Sequence, residues 1–335
     1  MTLRRKNIFS KYLYSEEVSS EELFSDGHWI TFRGKPMFIG GAQRKRRPKK
    51  PTGSVGKKVP LKGKDGKLLL DKDGKPKMKY EYKDSWKKKQ NKFKFAVMAS
   101  MAKNVDRMDR MLKYETERKK LDRKKAVATA TRIMLLTGMR VGGGKGAMPG
   151  ETKGKATFGT TTLQRRHVKI KGDEVTLDFR IGKAGQPFSV SFKDKAVADS
   201  LKRFMGDKDS AAPDDETPLF TYKDGRKTDV VTRRDIDKRM KKFDPDYKPK
   251  DLRTLKAHDT ASEAAIEIID RPRPILRTKK DIKAYTKEVE KEILEKVSKQ
   301  LGNEPATVKG HYVDPKFFDA VFVLMGLKEK EQMAA

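Results

Sequence analysis

The chain contains no cysteine. That excludes disulfides, thiolate metal sites and a thiol nucleophile, and it fits a reducing compartment. Histidine is nearly as scarce, with His28, His167, His258 and His311 the whole supply. No two of them stand at i, i+4 on one helix, so a paired-histidine metal site has no material. Long apolar runs are missing too. The longest, near Ala320–Met325, falls far short of the roughly 18–20 residues that span a bilayer. The start, Met1–Lys11, is basic but lacks the apolar stretch of a secretory signal. Negative charge is the last deficit, with 47 acidic residues against 80 basic ones. The acidic residues are scattered among lysines, which leaves no carboxylate cluster for a metal-dependent nuclease.

What is present is positive charge. The formal net charge is +33 over 335 residues, and an excess that large and one-sided calls for a polyanionic partner. Nucleic acid is the first candidate. An anionic membrane surface is the second, and no segment is able to anchor there. The length suffices for two domains, each with its own core.

The chain divides by periodicity. Residues 1–25 form an extension with a short amphipathic segment around Glu16–Phe24. Trp29, Thr31 and Arg33, then Pro36–Gly40, read as two short strands about Gly34 and Lys35. Gln43–Pro60, rich in Lys, Arg, Pro and Gly, reads as a flexible basic arm. Two Lys-Asp-Gly-Lys turns, at 64–67 and 72–75, flank Leu68-Leu69-Leu70 and lead into Met78–Tyr82, a hairpin pattern. Residues 1–91 are therefore expected to be a small β-rich domain with a basic loop at 43–60. From Lys92 the apolar spacing turns helical, and a second helix runs over Arg123–Thr137. Period two returns at Leu163–Ile170, Glu174–Ile181 and Pro187–Phe192, a three-stranded antiparallel meander. Further helices are expected near 194–205, 232–242, 249–269, 279–301 and 315–325, the last started by Asp314-Pro315 and stopped by Gly326. The fold class is thus α+β: the β-rich first domain, then a larger, mostly helical domain over 92–335 that holds the three-stranded sheet.

Five segments occur in a telling order. They are Thr137-Gly138-Met139-Arg140-Val141-Gly142; Thr157–Leu163 running to Arg166-His167-Val168; Phe179-Arg180-Ile181-Gly182-Lys183-Ala184-Gly185; Lys250-Asp251-Leu252-Arg253-Thr254; and Gly302-Asn303-Glu304-Pro305-Ala306, followed by Tyr312. Together they resemble the catalytic domain of type IB DNA topoisomerases in their compact bacterial and viral form. Lys79–Trp86 resembles the end of that family's DNA-clamping first domain, with Tyr80 and Tyr82 as its implied DNA contacts. The resemblance implies a C-shaped clamp on duplex DNA and relaxation of supercoils through a 3′-phosphotyrosyl intermediate, with no cofactor, metal or ATP. It implies a monomer in the cytoplasm, associated with a nucleoid or in a virus-infected host cell. The implied catalytic set is Arg140, Lys183, Arg253, Asn303 and Tyr312.

These residue types suit the chemistry. Attack on a phosphodiester builds charge on its non-bridging oxygens, and two arginines offer planar, permanently charged forks to them. A tyrosine ester is reversible. A lysine on a hairpin turn can protonate the departing 5′ oxygen, and Asn303 can donate a hydrogen bond. Ordinary readings stand beside these. Arg140 reads equally as a solvated helix-end charge, Lys183 as a turn lysine, Arg253 as a helix-start charge, Asn303 as a helix cap and Tyr312 as packing. Nine residues of continuous helix rotate about 900° and rise roughly 13 Å. Asn303 and Tyr312 therefore meet only if the chain bends between them, and Gly310 is a candidate place. His258 reads as structural or DNA-facing, and His167 has no chemical role to assign.

Two departures from the family pattern are visible. Gly143–Glu151 replaces its usual Asn-Glu pair and tyrosine. The stretch from Arg253 to Asn303 is extended. The glycines after Val141 lack the full phosphate-loop pattern. Two other functions compete. A tyrosine recombinase or integrase shares the active-site chemistry but usually has histidine where Lys250 stands, and a helical first domain. A non-enzymatic basic DNA-binding protein explains the charge but not the ordered segments.

Overall fold

The computed structural model describes residues 27–32, 35–40, 56–63, 65–71, 73–143, 157–182 and 185–328. Four features singled out in the sequence lie outside the described residues: the extension 1–25, most of the arm 43–60, most of the glycine-rich insertion and Lys183. The fold is mixed α+β and mostly helical, as expected. It has nine helices among the described residues and a three-stranded antiparallel sheet.

Helix α3 (Arg123–Thr137) runs through the core. Asp122 caps its start by accepting from Lys125 N at 2.9 Å, and Gly138 closes its end at φ 71°. Nearly every residue of it is buried, so it carries small side chains, Ala126, Ala128 and Ala130, that let neighbours approach. Its threonine hydroxyls at 129, 131 and 137 bond back to carbonyls four residues earlier. Its one buried guanidinium, Arg132, pairs with Asp109 at 3.0 Å and Asp194 at 2.6 Å. That triad ties α2 (Val105–Thr116) and the start of α4 (Lys195–Phe204) to α3. The helix expected from Lys92 begins earlier, as α1 (Asp84–Lys103), and breaks from α2 at Asn104. The domain division expected at 91 and 92 falls inside α1.

The central sheet is β5 (Val168–Lys171), β6 (Glu174–Ile181) and β7 (Gln186–Lys193), paired in that order. The strand expected from Leu163 is shorter than its pattern. Residues 160–162 and 165–167 instead form 3-10 turns. They turn because His167 Nδ1 accepts from Gln164 N at 3.1 Å and Thr162 Oγ1 accepts from Gly159 N at 2.9 Å.

Two further hairpins precede α1. Strands β1 (Gly27–Phe32) and β2 (Lys35–Gly40) pair as expected. Consecutive residues of β2 are buried on both faces. Met37 and Ile39 join one core, and Phe38 joins the other, packing edge-on against Phe317 at 6.1 Å. Strand β4 (Met78–Tyr82) pairs with β3 (Gly56–Pro60), so the end of the expected basic arm is a strand, not coil. A β-carbon on Gly56 would lie 2.2 Å from Glu81 O, which is why glycine opens this strand. The two Asp-Gly turns between these strands carry Gly66 at φ 77° and Gly74 at φ 73°, the hairpin turns expected of them. A hairpin not expected, β8 (Thr221–Asp224) with β9 (Lys227–Val230), turns at Gly225.

The remaining helices are α5 (Arg233–Phe243), α6 (Pro249–Ile269), α7 (Lys279–Leu301), α8 (Pro305–His311) and α9 (Pro315–Leu324). Pro249 starts α6, and Asp251 accepts from Lys248 N at 2.8 Å. Thr278 and Asp281 bond reciprocally at the start of α7. Ala257, Ala261, Ala264 and Ala265 line the buried side of α6, where α7 packs. A second core of Val289, Ile293, Val297, Val308, Phe317 and Val321 forms there.

Candidate active site

The matched segments converge on the end of α3. After Gly138 the chain runs on as Met139–Gly142, and the Thr157–Leu163 segment fastens it. Thr160 N and Thr161 N donate to Arg140 O and Val141 O, both at 2.8 Å. The hydroxyls of the same threonines add bonds to the same carbonyls at 3.1 and 2.8 Å. A β-carbon on Gly159 would come within 2.6 Å of Gly142 N, so the two segments touch backbone to backbone. The threonine-rich segment therefore fixes the backbone from which Arg140 projects.

Arg140 is exposed and donates from Nη2 to Asn303 Oδ1 at 2.7 Å. Asn303 is no helix cap. It stands outside both helices, after Gly302 ends α7 at φ 59° and before Glu304 starts α8. The chain leaves helix across Gly302–Glu304, whereas Gly310, the candidate place for a bend, lies within α8. Only glycine fits at 302, because a β-carbon would meet Ile181 Cδ1 at 2.2 Å and Phe188 at 2.8 Å. That contact seats Asn303 against the paired ends of β6 and β7. With Oδ1 engaged, Asn303 Nδ2 is a buried donor without a hydrogen-bond partner among the described residues.

Arg253 lies on α6, is 4 % exposed, and is locked in place. Its Nη1 donates to Gly138 O at 2.7 Å and its Nη2 to Leu301 O. Those carbonyls stand two residues before Arg140 and two before Asn303, so one guanidinium registers both. Burial lowers the Arg253 pKa, Tyr312 opposes that, and the nearby Arg140 charge adds to it.

Tyr312 follows α8 and is 8 % exposed. The Arg253 guanidinium carbon lies 5.3 Å from its ring centre and Lys250 Nζ lies 5.8 Å from it. Burial pushes the phenol up. The cations Arg253, Lys250 and Arg140 outweigh it and hold the phenol below its ordinary value.

Four of the five expected residues thus gather at one place. Lys183 lies outside the described residues. Tyr80 and Tyr82 stand apart on β4, half-exposed on one face, with ring centres 4.8 Å apart. Tyr80 OH donates to Gly56 O at 3.1 Å.

Two residues beside the site are not marked as such in the sequence. His258, fully buried, accepts from Asp314 N at 3.0 Å, and burial drives its pKa down to about 3, so it is a neutral holder of the chain after Tyr312. Lys94, on α1, donates to His311 O at 2.8 Å. Neither contact has a local sequence signature. His167 is buried between the rings of Phe158 and Phe179, pushed down to about 4 by burial, and is structural. Among the described residues no helix is long and apolar enough to cross a membrane.

Compared with curated proteins, the chain returns no match. A family model does match, that of the eukaryotic DNA topoisomerase I catalytic core, over residues 83–319. This span holds every residue of the gathered site and well over half the chain, and the chain belongs to that family.

Proposed function

We propose that the protein is a type IB DNA topoisomerase of the compact bacterial and viral form. It relaxes supercoiled duplex DNA by cutting and resealing one strand, without ATP or metal. The observation that carries the reading is the meeting of two pairs, Arg140 with Asn303 and Arg253 with Tyr312, registered by one guanidinium.

In this reading the Tyr312 oxygen attacks the scissile phosphorus and the bond to the 5′ oxygen breaks. A 3′-phosphotyrosine forms, and Lys183 gives a proton to the departing 5′ oxygen. The reverse step reseals the strand. Arg140, Arg253 and the free Asn303 amide donate to the non-bridging oxygens as charge builds there. The cations around Tyr312 favour its phenolate, the attacking form. Tyr80 and Tyr82 contact DNA from the first domain, residues 1–91, which closes the clamp over a catalytic domain at 92–335. The +33 charge supplies phosphate contacts with little sequence information. The protein works as a monomer in the cytoplasm.

A tyrosine recombinase would use the same site, but Lys250 stands where recombinases usually carry histidine, and the described residues before α1 form β-hairpins. Plasmid relaxation in chelator without ATP separates the readings. Relaxed topoisomers, with Tyr312→Phe inactive for cleavage yet still binding DNA, are the expected result. Recombined products, or binding with no strand cleavage, would overturn it.

A further inference from the structure

Strand β4 passes into α1 through Lys83 alone, so Tyr80, Tyr82 and Lys94 sit on one continuous stretch of regular structure. Lys94 lies about 15 Å along the helix from Asp84. Its ammonium donates to His311 O at 2.8 Å and to Asn91 Oδ1 at 3.2 Å, and rests 4.1 Å from the Phe95 ring centre. Phe95 in turn packs edge-on against His258, at 5.5 Å between ring centres. His258 accepts from Asp314 N. The turn from His311 to Asp314 is therefore gripped at both ends, with Tyr312 between the grips.

The surroundings do not favour a cation here. Burial and the Lys250 charge push Lys94 down to about 8, against weaker support from Asp314 and Asp251. The folded pKa lies below the unfolded one. The charge on Lys94 therefore weakens folding fully below about pH 8, and the penalty fades as pH rises toward 10.5. A methionine of similar length would fit the Phe95 ring without that penalty. The Lys94 charge is therefore not what stabilises the fold at this place.

We propose that Lys94 is a positioning residue that holds the His311–Tyr312 peptide and couples the placement of Tyr312 to engagement of DNA by the β4 hairpin. The proposal rests on the reading of Tyr312 as the nucleophile. Movement of β4 on DNA shifts α1, and α1 carries the donor that fixes the backbone next to the attacking oxygen. Loss of that donor changes the approach of the phenol, not the strength of DNA binding.

The test compares the full-length wild type with Lys94→Met, Lys94→Arg, Tyr82→Ala and the Tyr82→Ala/Lys94→Met double variant. Single-turnover cleavage at saturating duplex, DNA affinity and melting temperature are measured for each. Lys94→Met is expected to slow cleavage by up to about 10²-fold, the penalty of a small misplacement. Affinity stays nearly unchanged, and melting temperature is unchanged or higher. Lys94→Arg, which keeps a charged donor, restores most of the rate. The double variant loses less than the product of the single losses. Full-rate cleavage by Lys94→Met, a rate loss that tracks a lowered melting temperature without rescue by arginine, or a strictly multiplicative double variant would each overturn the coupling role. A wild type that forms no Tyr312–DNA adduct overturns the function reading as well. An adduct formed equally fast by wild type and Lys94→Met overturns this inference alone.

Discussion

Arg253 touches, through two hydrogen bonds, the carbonyls of Gly138 and Leu301, and its guanidinium carbon lies 5.3 Å from the centre of the Tyr312 ring. One side chain therefore organises three segments that are far apart in the chain. Lysine, a point charge without a fork, cannot bridge both carbonyls and still face the tyrosine. Arg253→Ala and Arg253→Lys should both slow cleavage and religation by about 10²–10³-fold. The pH profile supplies a second readout. The cations lower the Tyr312 phenol, so the alkaline rise in wild-type cleavage should lie below the ordinary tyrosine value, and Arg253→Ala should move it upward. An unmoved limb would remove Tyr312 ionisation from the account.

Arg140 and Asn303 are bonded at 2.7 Å, so the effects of replacing them should not be independent. Asn303→Ala leaves Arg140 without its holder, and Arg140→Ala leaves the Asn303 amide unaimed. Each should be slowed by about 10²-fold or more, with the double variant slowed by much less than the product of the two. Asn303→His should be milder than Asn303→Ala, because imidazole can also donate. Independent effects in the double variant would show that the bond does not matter to the reaction.

Lys183 is tested by the leaving group. A 5′ alkoxide needs a proton, worth about 10²–10⁴ in rate, whereas a 5′ thiolate leaves unaided. Lys183→Ala should be slow on ordinary DNA and nearly restored on DNA with a 5′-bridging sulfur at the cleavage site. Arg253→Ala should not recover to the same degree. If Lys183→Ala is equally slow on both substrates, this lysine positions DNA and is not the acid.

Gly302 holds φ 59° with Ile181 and Phe188 packed where a β-carbon would stand. Gly302→Ala should therefore destabilise the fold by about 1–3 kcal/mol, since both the backbone conformation and the packing oppose it. Cleavage should fall as well, because Asn303 follows directly. Thermal or denaturant unfolding together with single-turnover cleavage checks this, and a variant that unfolds like wild type would void the packing argument.

Gln43–Val55 carries six lysines and arginines, and the strand β3 begins just after it at Gly56. Deletion of 43–55 should lower DNA affinity and flatten its salt dependence, by about 0.9 in the log–log slope for each phosphate that the arm no longer neutralises. Cleavage at saturating DNA should remain nearly unchanged. A large drop in saturated rate would instead place the arm in the active site.

The sequence by itself determined the elements whose boundaries are written locally. Helices α3, α6 and α7 begin at Asp122, Pro249 and Thr278 and end near glycine or a charged cap, so capping chemistry made them legible. The meander was legible from its alternation, and the order of five short segments pointed to Arg140, Arg253, Asn303 and Tyr312. Tertiary structure decided the rest. Leu163–His167 is placed by the sequence at the start of a strand, yet side-chain bonds to the backbone at Gln164 and Gly159 turn the chain there. Asn303 has the neighbours of a cap, yet Arg140, far earlier in the chain, takes its oxygen. Gly310, the candidate place for a bend, lies inside α8, and the chain instead leaves helix across Gly302–Glu304, where Gly302 holds φ 59° with Ile181 and Phe188 packed against it. Lys94 and His258 grip the turn that carries Tyr312 through the backbone atoms of His311 and Asp314. A backbone carbonyl or amide is the same at every position, so nothing in the residue types records which one a remote side chain will meet.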